Sequence, residues 1–174
     1  MKENFATAMT ALLSHEGGFQ ADKRDPGNAN GGMTNMGVTK AVWEEWVGHP
    51  VTEKDMRNLQ PMNVHPMYRR KYWDKVCGDQ LPAGLDHAVF DFAVNSGPGR
   101  AAKMLQRLLG TLPDGFIGPQ TLRMLTEKDH KKLIADYNAA RLAFLQALPT
   151  WADFGNGWGT RVATVKTEAT KMTA

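Results

Sequence analysis

The stretch of this sequence best equipped for chemistry is His15-Glu16-Gly17-Gly18-Phe19, followed by Asp22, Asp25 and Gly31-Gly32-Met33-Thr34-Asn35. A carboxyl group at the negative end of a helix dipole, beside an apolar ring such as that of Phe19, is harder to ionise than one in water. Such a group keeps a proton near neutral pH and can deliver it to the leaving oxygen of a glycosidic bond. A second polar or anionic group then holds water or steadies the oxocarbenium-like charge. Glu16, Asp25 and Thr34 supply those parts. A structural reading is equally open at this point: Glu16 as an ordinary exposed helix-end residue, and the aspartates as turn formers.

Several elements must hold these groups in place. After Asn4, the apolar residues Phe5, Met9, Leu12 and Leu13 recur at helical spacing up to Glu16, where Gly17-Gly18 stops the helix. From Phe19 to Val38 the residues are almost all turn formers, which predicts a long irregular loop or small hairpin of the kind usually kept for function. Thr39 is placed to cap a helix through Val47, and Thr52-Glu53-Lys54-Asp55 resembles a capping box. Met67 to Val76 reads as a basic, aromatic helix. Leu85 to Asn95 puts Leu85, Val89, Phe92 and Ala93 on one face, and Pro98 opens a helix that Gly110 ends. Pro119 starts another helix, Leu133, Tyr137, Ala140 and Phe144 stripe a long one, and a last short helix is expected to start near Thr160. Strand signals are scarce, so the class is mainly α with one small irregular or β element near residues 19–38.

Composition narrows the function classes. The 174 residues, 42% hydrophobic and 22% charged, suit one globular domain or two packed halves. No apolar run approaches the roughly 20 residues needed to cross a bilayer. The start, Met1-Lys2-Glu3-Asn4, shows no basic leader and apolar core, so export by a cleaved signal is not expected. A net charge of +3 and a pI near 9.0 favour anionic surfaces without a recognisable nucleic-acid motif. The five histidines form no His-Glu-x-x-His pattern, so no metal site is expected. The lone Cys77 reads as a small hydrophobe rather than a nucleophile.

The motifs Glu16-Gly17-Gly18-Phe19, Asp25-Pro26-Gly27 and Gly32-Met33-Thr34-Asn35-Met36-Gly37-Val38-Thr39 together resemble the signature of glycoside hydrolase family 108, the bacteriophage and prophage lysozyme-like muramidases. The likeness continues through Tyr72-Trp73-Asp74 and Gly78-Asp79-Gln80-Leu81-Pro82. Phe90-Asp91-Phe92-Ala93-Val94-Asn95-Ser96-Gly97-Pro98, Leu105-Gln106 and Asp114-Gly115-Phe116-Ile117-Gly118-Pro119 resemble the predicted peptidoglycan-binding region that accompanies this catalytic half.

The resemblance implies a lysozyme-like helical fold, with a catalytic lobe over residues 1–80 and a peptidoglycan-binding lobe over 81–174 packed against it. It implies hydrolysis of the β-1,4 bond between N-acetylmuramic acid and N-acetylglucosamine, with Glu16 as general acid, Asp25 as second carboxylate and Thr34 orienting water. Relative to the family's compact turn, Asn28-Ala29-Asn30-Gly31 looks inserted, which keeps Asp22 open as a rival second carboxylate. Tyr72 and Trp73 are either core residues or platforms for sugar stacking. Asn95 is either a helix-ending hydrogen-bond device or a donor to an N-acetyl group. No cofactor is expected. The implied partners are peptidoglycan and a holin, with no nucleic acid and no stable membrane insertion. The expected location is the host cytoplasm until lysis releases the protein to the wall or periplasm. A lytic transglycosylase and a catalytically silent wall-binding protein are the alternatives.

Overall fold

The computed structural model describes residues 4–21 and 32–173. Among them the chain forms nine α-helices and one two-stranded antiparallel ribbon. The order is α1 (Asn4–His15), β1 (Thr34–Asn35), β2 (Val38–Thr39), α2 (Lys40–Val47), α3 (Glu53–Arg57), α4 (Pro61–Tyr68), α5 (Leu85–Ser96), α6 (Pro98–Leu109), α7 (Pro119–Leu125), α8 (His130–Gln146) and α9 (Trp151–Lys171). The class is mainly α and lysozyme-like, with its small β element at the end of the expected segment and one residue past it, to Thr39. Two compact units divide the chain, one of Met9–Tyr68 and one of Arg69–Ala174 with Met1–Ala8.

In the unit of Met9–Tyr68, local chemistry sets most helix ends. Thr39 Oγ1 accepts from the Val42 N–H at 3.3 Å to start α2, and Gly48, at φ +80°, ends it. Thr52 and Asp55 form the expected box at the start of α3, with the Thr52 N–H donating to Asp55 Oδ2 at 2.8 Å and the Asp55 N–H to Thr52 Oγ1 at 3.2 Å. Capping of this kind is worth about 1 kcal/mol. The helix expected over Met67–Val76 is different. The α4 helix starts earlier, at Pro61, and passes into a π-helical turn over Arg69–Trp73 and a 3-10 turn over Asp74–Val76. Pro66 has no N–H to give back to Met62, so the regular ladder is broken before the wider turn begins.

In the unit of Arg69–Ala174, α5 is buried from Leu85 to Ala93 on every side rather than along one face. The helices α6, α8 and α9 all pack on it. Val89, Phe92, Leu105, Ile134, Tyr137 and Val165 belong to the resulting core. The last helix begins at Trp151, nine residues before the expected start near Thr160. Gly155, Gly157 and Gly159 hide it from sequence reading, because each glycine weakens a helix by about 1 kcal/mol relative to alanine. Gly155 has a packing reason, since a Cβ there would stand 2.6 Å from the indole of Trp151.

Candidate functional site

In the unit of Met9–Tyr68 the α1 helix ends at His15 and delivers Glu16, half-buried, immediately beyond its last turn. Opposite it comes the tip of the β1–β2 hairpin. The register Asn35↔Val38 leaves Met36 and Gly37 as a two-residue turn, and both have positive φ, 51° and 74°. Turns of this mirror-image kind match the twist of the flanking strands, and glycine suits them because it has no Cβ to clash. Gly37 is needed for a second reason. A Cβ there would lie 2.7 Å from Glu16 Oε2 and 2.8 Å from the hydroxyl oxygen of Tyr68. The Glu16 carboxylate and the Tyr68 hydroxyl therefore converge on one point above the bare glycine.

Two side chains hold that tip. The Tyr68 hydroxyl donates to the Met36 carbonyl at 2.9 Å, and Asn35, buried, donates through Nδ2 to the Met56 carbonyl at 2.8 Å. They offset the left-handed conformation of Met36, which costs a side-chain-bearing residue about 1–2 kcal/mol. Chemically, the arrangement is a carboxyl group beside a hydroxyl, above a glycine that has no side chain of its own to fill the point where they meet.

Thr34 lies at the base of the same hairpin, its backbone exchanging 2.8 Å hydrogen bonds with Gln20. Its register partner is Thr39, while Asn35 and Val38, one position along, are buried. Thr34 is therefore on the ribbon face opposite the buried one. Asp25 and its rival Asp22 lie outside the described residues. The Arg57 guanidinium sits 3.8 Å from the centre of the Phe19 ring.

The other three candidates belong to the second unit. Trp73 corrects the expectation of a sugar platform: it is fully buried, its N–H donates to Asp79 at 2.9 Å, and Phe5 and Phe90 pack on it at 5.3 and 5.4 Å between ring centres. As folded it is a core residue with no face for a polymer. Tyr72 is half-buried. Asn95 is exposed at the end of α5, and its Oδ1 accepts from Arg141 Nη2 at 3.3 Å, which leaves the amide's donor end outward. Cys77 donates to the Ile117 carbonyl at 3.1 Å, and burial pushes its thiol up, the opposite of an activated nucleophile. Among the described residues no group of three or more His, Cys, Asp or Glu side chains is placed to hold a metal ion, and no helix is long and apolar enough to cross a membrane.

Sequence reasoning gave no site role to Tyr68 or Gly37. Gly37 carried a signal, as the second residue of a hairpin turn. Tyr68 carried only the rule that a buried tyrosine hydroxyl finds a partner. We expect Tyr68→Phe to lower turnover roughly tenfold at nearly unchanged KM, with a stability loss of about 1 kcal/mol from the missing hydrogen bond. A variant that loses the stability and keeps full turnover would leave the hydroxyl a brace for Met36 only.

The family model described as glycosyl hydrolase 108 matches residues 9–97, and the one described as a predicted peptidoglycan domain matches residues 100–163. Among solved structures, SagA of Brucella abortus is similar, with 42% sequence identity over 99% of this chain and 97% of that one, and a TM-score of 0.87. Comparison with curated proteins returns no match.

Proposed function

The chain belongs to the glycosyl hydrolase 108 family, and from that premise we propose that it hydrolyses the β-1,4 bond between N-acetylmuramic acid and N-acetylglucosamine in peptidoglycan, with Glu16 as general acid. At the coarser level, it is a glycoside hydrolase joined to a predicted peptidoglycan domain, which makes the bacterial wall its partner. The observation that supports the finer reading is the convergence of the Glu16 carboxylate and the Tyr68 hydroxyl on the bare Gly37 turn, within the matched residues 9–97.

In this mechanism Glu16 gives its proton to the bridging oxygen as the bond from that oxygen to the anomeric carbon breaks. The oxocarbenium-like charge that develops is steadied by a second carboxylate, Asp25, with Asp22 the alternative. Water supplies the oxygen that the anomeric carbon gains, and Thr34 orients it. Asn95 offers its amide donor to an N-acetyl carbonyl, and Tyr72 offers its partly open ring to a sugar face. The biological setting that goes with this chemistry is an endolysin of phage or prophage origin. It would be held in the host cytoplasm until a holin opens the membrane.

The products decide the reaction. Digestion of purified peptidoglycan in heavy-oxygen water should yield reducing N-acetylmuramic acid ends that carry the label, as read by mass spectrometry. Unlabelled anhydro ends would make the protein a lytic transglycosylase, in which the muramic 6-hydroxyl attacks instead of water. Tight binding with no cleavage would leave a silent wall-binding protein.

A further inference from the structure

At the corner between α5 and α6, an open pocket of about 530 Å³ is lined by Pro98, Arg100, Lys103, Met104, Arg107 and Phe144, among others. Arg100, Lys103 and Arg107 recur at steps of three and four residues, so one face of α6 carries all three cations. None of them forms an ion pair with a carboxylate among the described residues. Asp114 lies within electrostatic reach of Lys103, and its Oδ1 is occupied by Gln106 Nε2 at 2.7 Å and the Phe116 N–H at 2.8 Å. Like charges gathered on one helix face repel, and the cost is relieved when an anion arrives between them.

The pocket is also partly organised. Arg100 Nη1 donates to the Ser96 carbonyl at 3.2 Å, and its guanidinium stands 4.9 Å from the centre of the Phe144 ring. A guanidinium held in this way loses less freedom when it binds a carboxylate. A Cβ built at Gly97 or Gly99 would meet nothing within 4 Å, so the backbone at the mouth is open to approach. Met104, Pro98 and Phe144 add apolar surface beside the charges.

We infer that this pocket binds the stem peptide of peptidoglycan, with peptide carboxylates on Arg100, Lys103 and Arg107 and alanine methyl groups against Met104 and Phe144. The inference rests on the reading of the chain as a wall glycosidase. In the intact wall the lactyl carboxyl of muramic acid is tied up in an amide, so the glycan itself is neutral and the stem peptides carry the carboxylates. An anionic, methyl-bearing peptide matches both halves of the lining. The hydrolase would then hold a crosslinked strand by its peptides while it cuts the sugar chain.

The test uses the full chain and the free tetrapeptide L-Ala-D-Glu-diaminopimelate-D-Ala, titrated by calorimetry at low salt. Binding should weaken as salt is raised. The triple change Arg100→Gln, Lys103→Gln, Arg107→Gln should weaken it at least tenfold, with the melting temperature and the turnover on peptide-stripped glycan unchanged. Lys103→Gln alone should produce a smaller loss, which guards against a fold effect of the triple variant. Equal binding by wild type and triple variant would overturn the inference. So would inorganic phosphate binding as tightly as the tetrapeptide, which would assign the pocket to phosphate polymers of the envelope. Failure here is separate from failure of the glycosidase reading. A chain that incorporates labelled water but ignores the tetrapeptide loses only the pocket, and one that binds the tetrapeptide but cleaves no wall loses only the glycosidase.

Discussion

Glu16→Gln should leave the chain folded and slow peptidoglycan hydrolysis by about 10² to 10⁴. The amide matches the carboxyl in size, and Glu16 is only half-buried beyond the end of α1, so the substitution leaves no cavity. What it removes is the proton that must reach the bridging oxygen as that oxygen leaves. The check is release of reducing ends from purified walls, together with the thermal unfolding curve. A folded Glu16→Gln protein that clears walls at the wild-type rate would remove Glu16 from the acid role. Asp25→Asn and Asp22→Asn, run beside it, sort the second carboxylate. If the change at Asp22 is the more damaging, the match to the family across Asn28-Ala29-Asn30-Gly31 is shifted.

What could be read from the residues was whatever local chemistry decides. Thr39, the Thr52–Asp55 pair, Pro98 and Gly110 set helix ends with their own atoms or their own φ preferences, and those ends fall where the sequence puts them. Glu16 at a helix end is legible for the same reason, since Gly17-Gly18 follows it directly. The departures arise where distant contacts override local preference. Three glycines argue against a helix at Trp151, yet the Trp151 ring lies along the helix against Gly155. Trp73 and Tyr68 are both aromatic residues in a basic stretch, and nothing local separates their fates. One is enclosed by Phe5 and Phe90, and the other sends its hydroxyl across 32 positions to Met36. The burial of Asp91 is invisible in the same way, because its partners lie 50 and 70 residues further along the chain.

That burial carries the largest expected effect on stability. Asp91 is fully buried on α5, with Arg141 Nη2 from α8 at 2.7 Å and Arg161 Nη2 from α9 at 2.9 Å. Arg141 is itself fully buried, so Asp91→Asn would strand one guanidinium in the core without a counter-charge and weaken the hold on another. Removing one partner of such a buried pair costs about 3–5 kcal/mol. For a chain of this size that lowers the melting temperature on the order of 10 °C. The pH dependence carries a sign that packing loss alone would not. Burial pushes the Asp91 carboxyl up, but the charges of Arg141 and Arg161 and their hydrogen bonds more than offset it and hold it below the usual carboxylate range. A carboxylate with a depressed folded-state pKa contributes stability above its unfolded value near 3.9, and that contribution disappears as pH falls through the folded value. Wild type should therefore lose this contribution in acid below about pH 4, and Asp91→Asn, already without it, should lose less over the same range. Asp86, whose carboxyl burial pushes up, titrates with the opposite sign in both proteins, so the difference between the two melting curves isolates Asp91. Because Arg141 also holds the Asn95 amide, Asp91→Asn should raise KM for wall fragments at temperatures where the variant is still folded. Unchanged stability in Asp91→Asn at both neutral and acid pH would show that the ion pairs are not what holds α8 and α9 against α5.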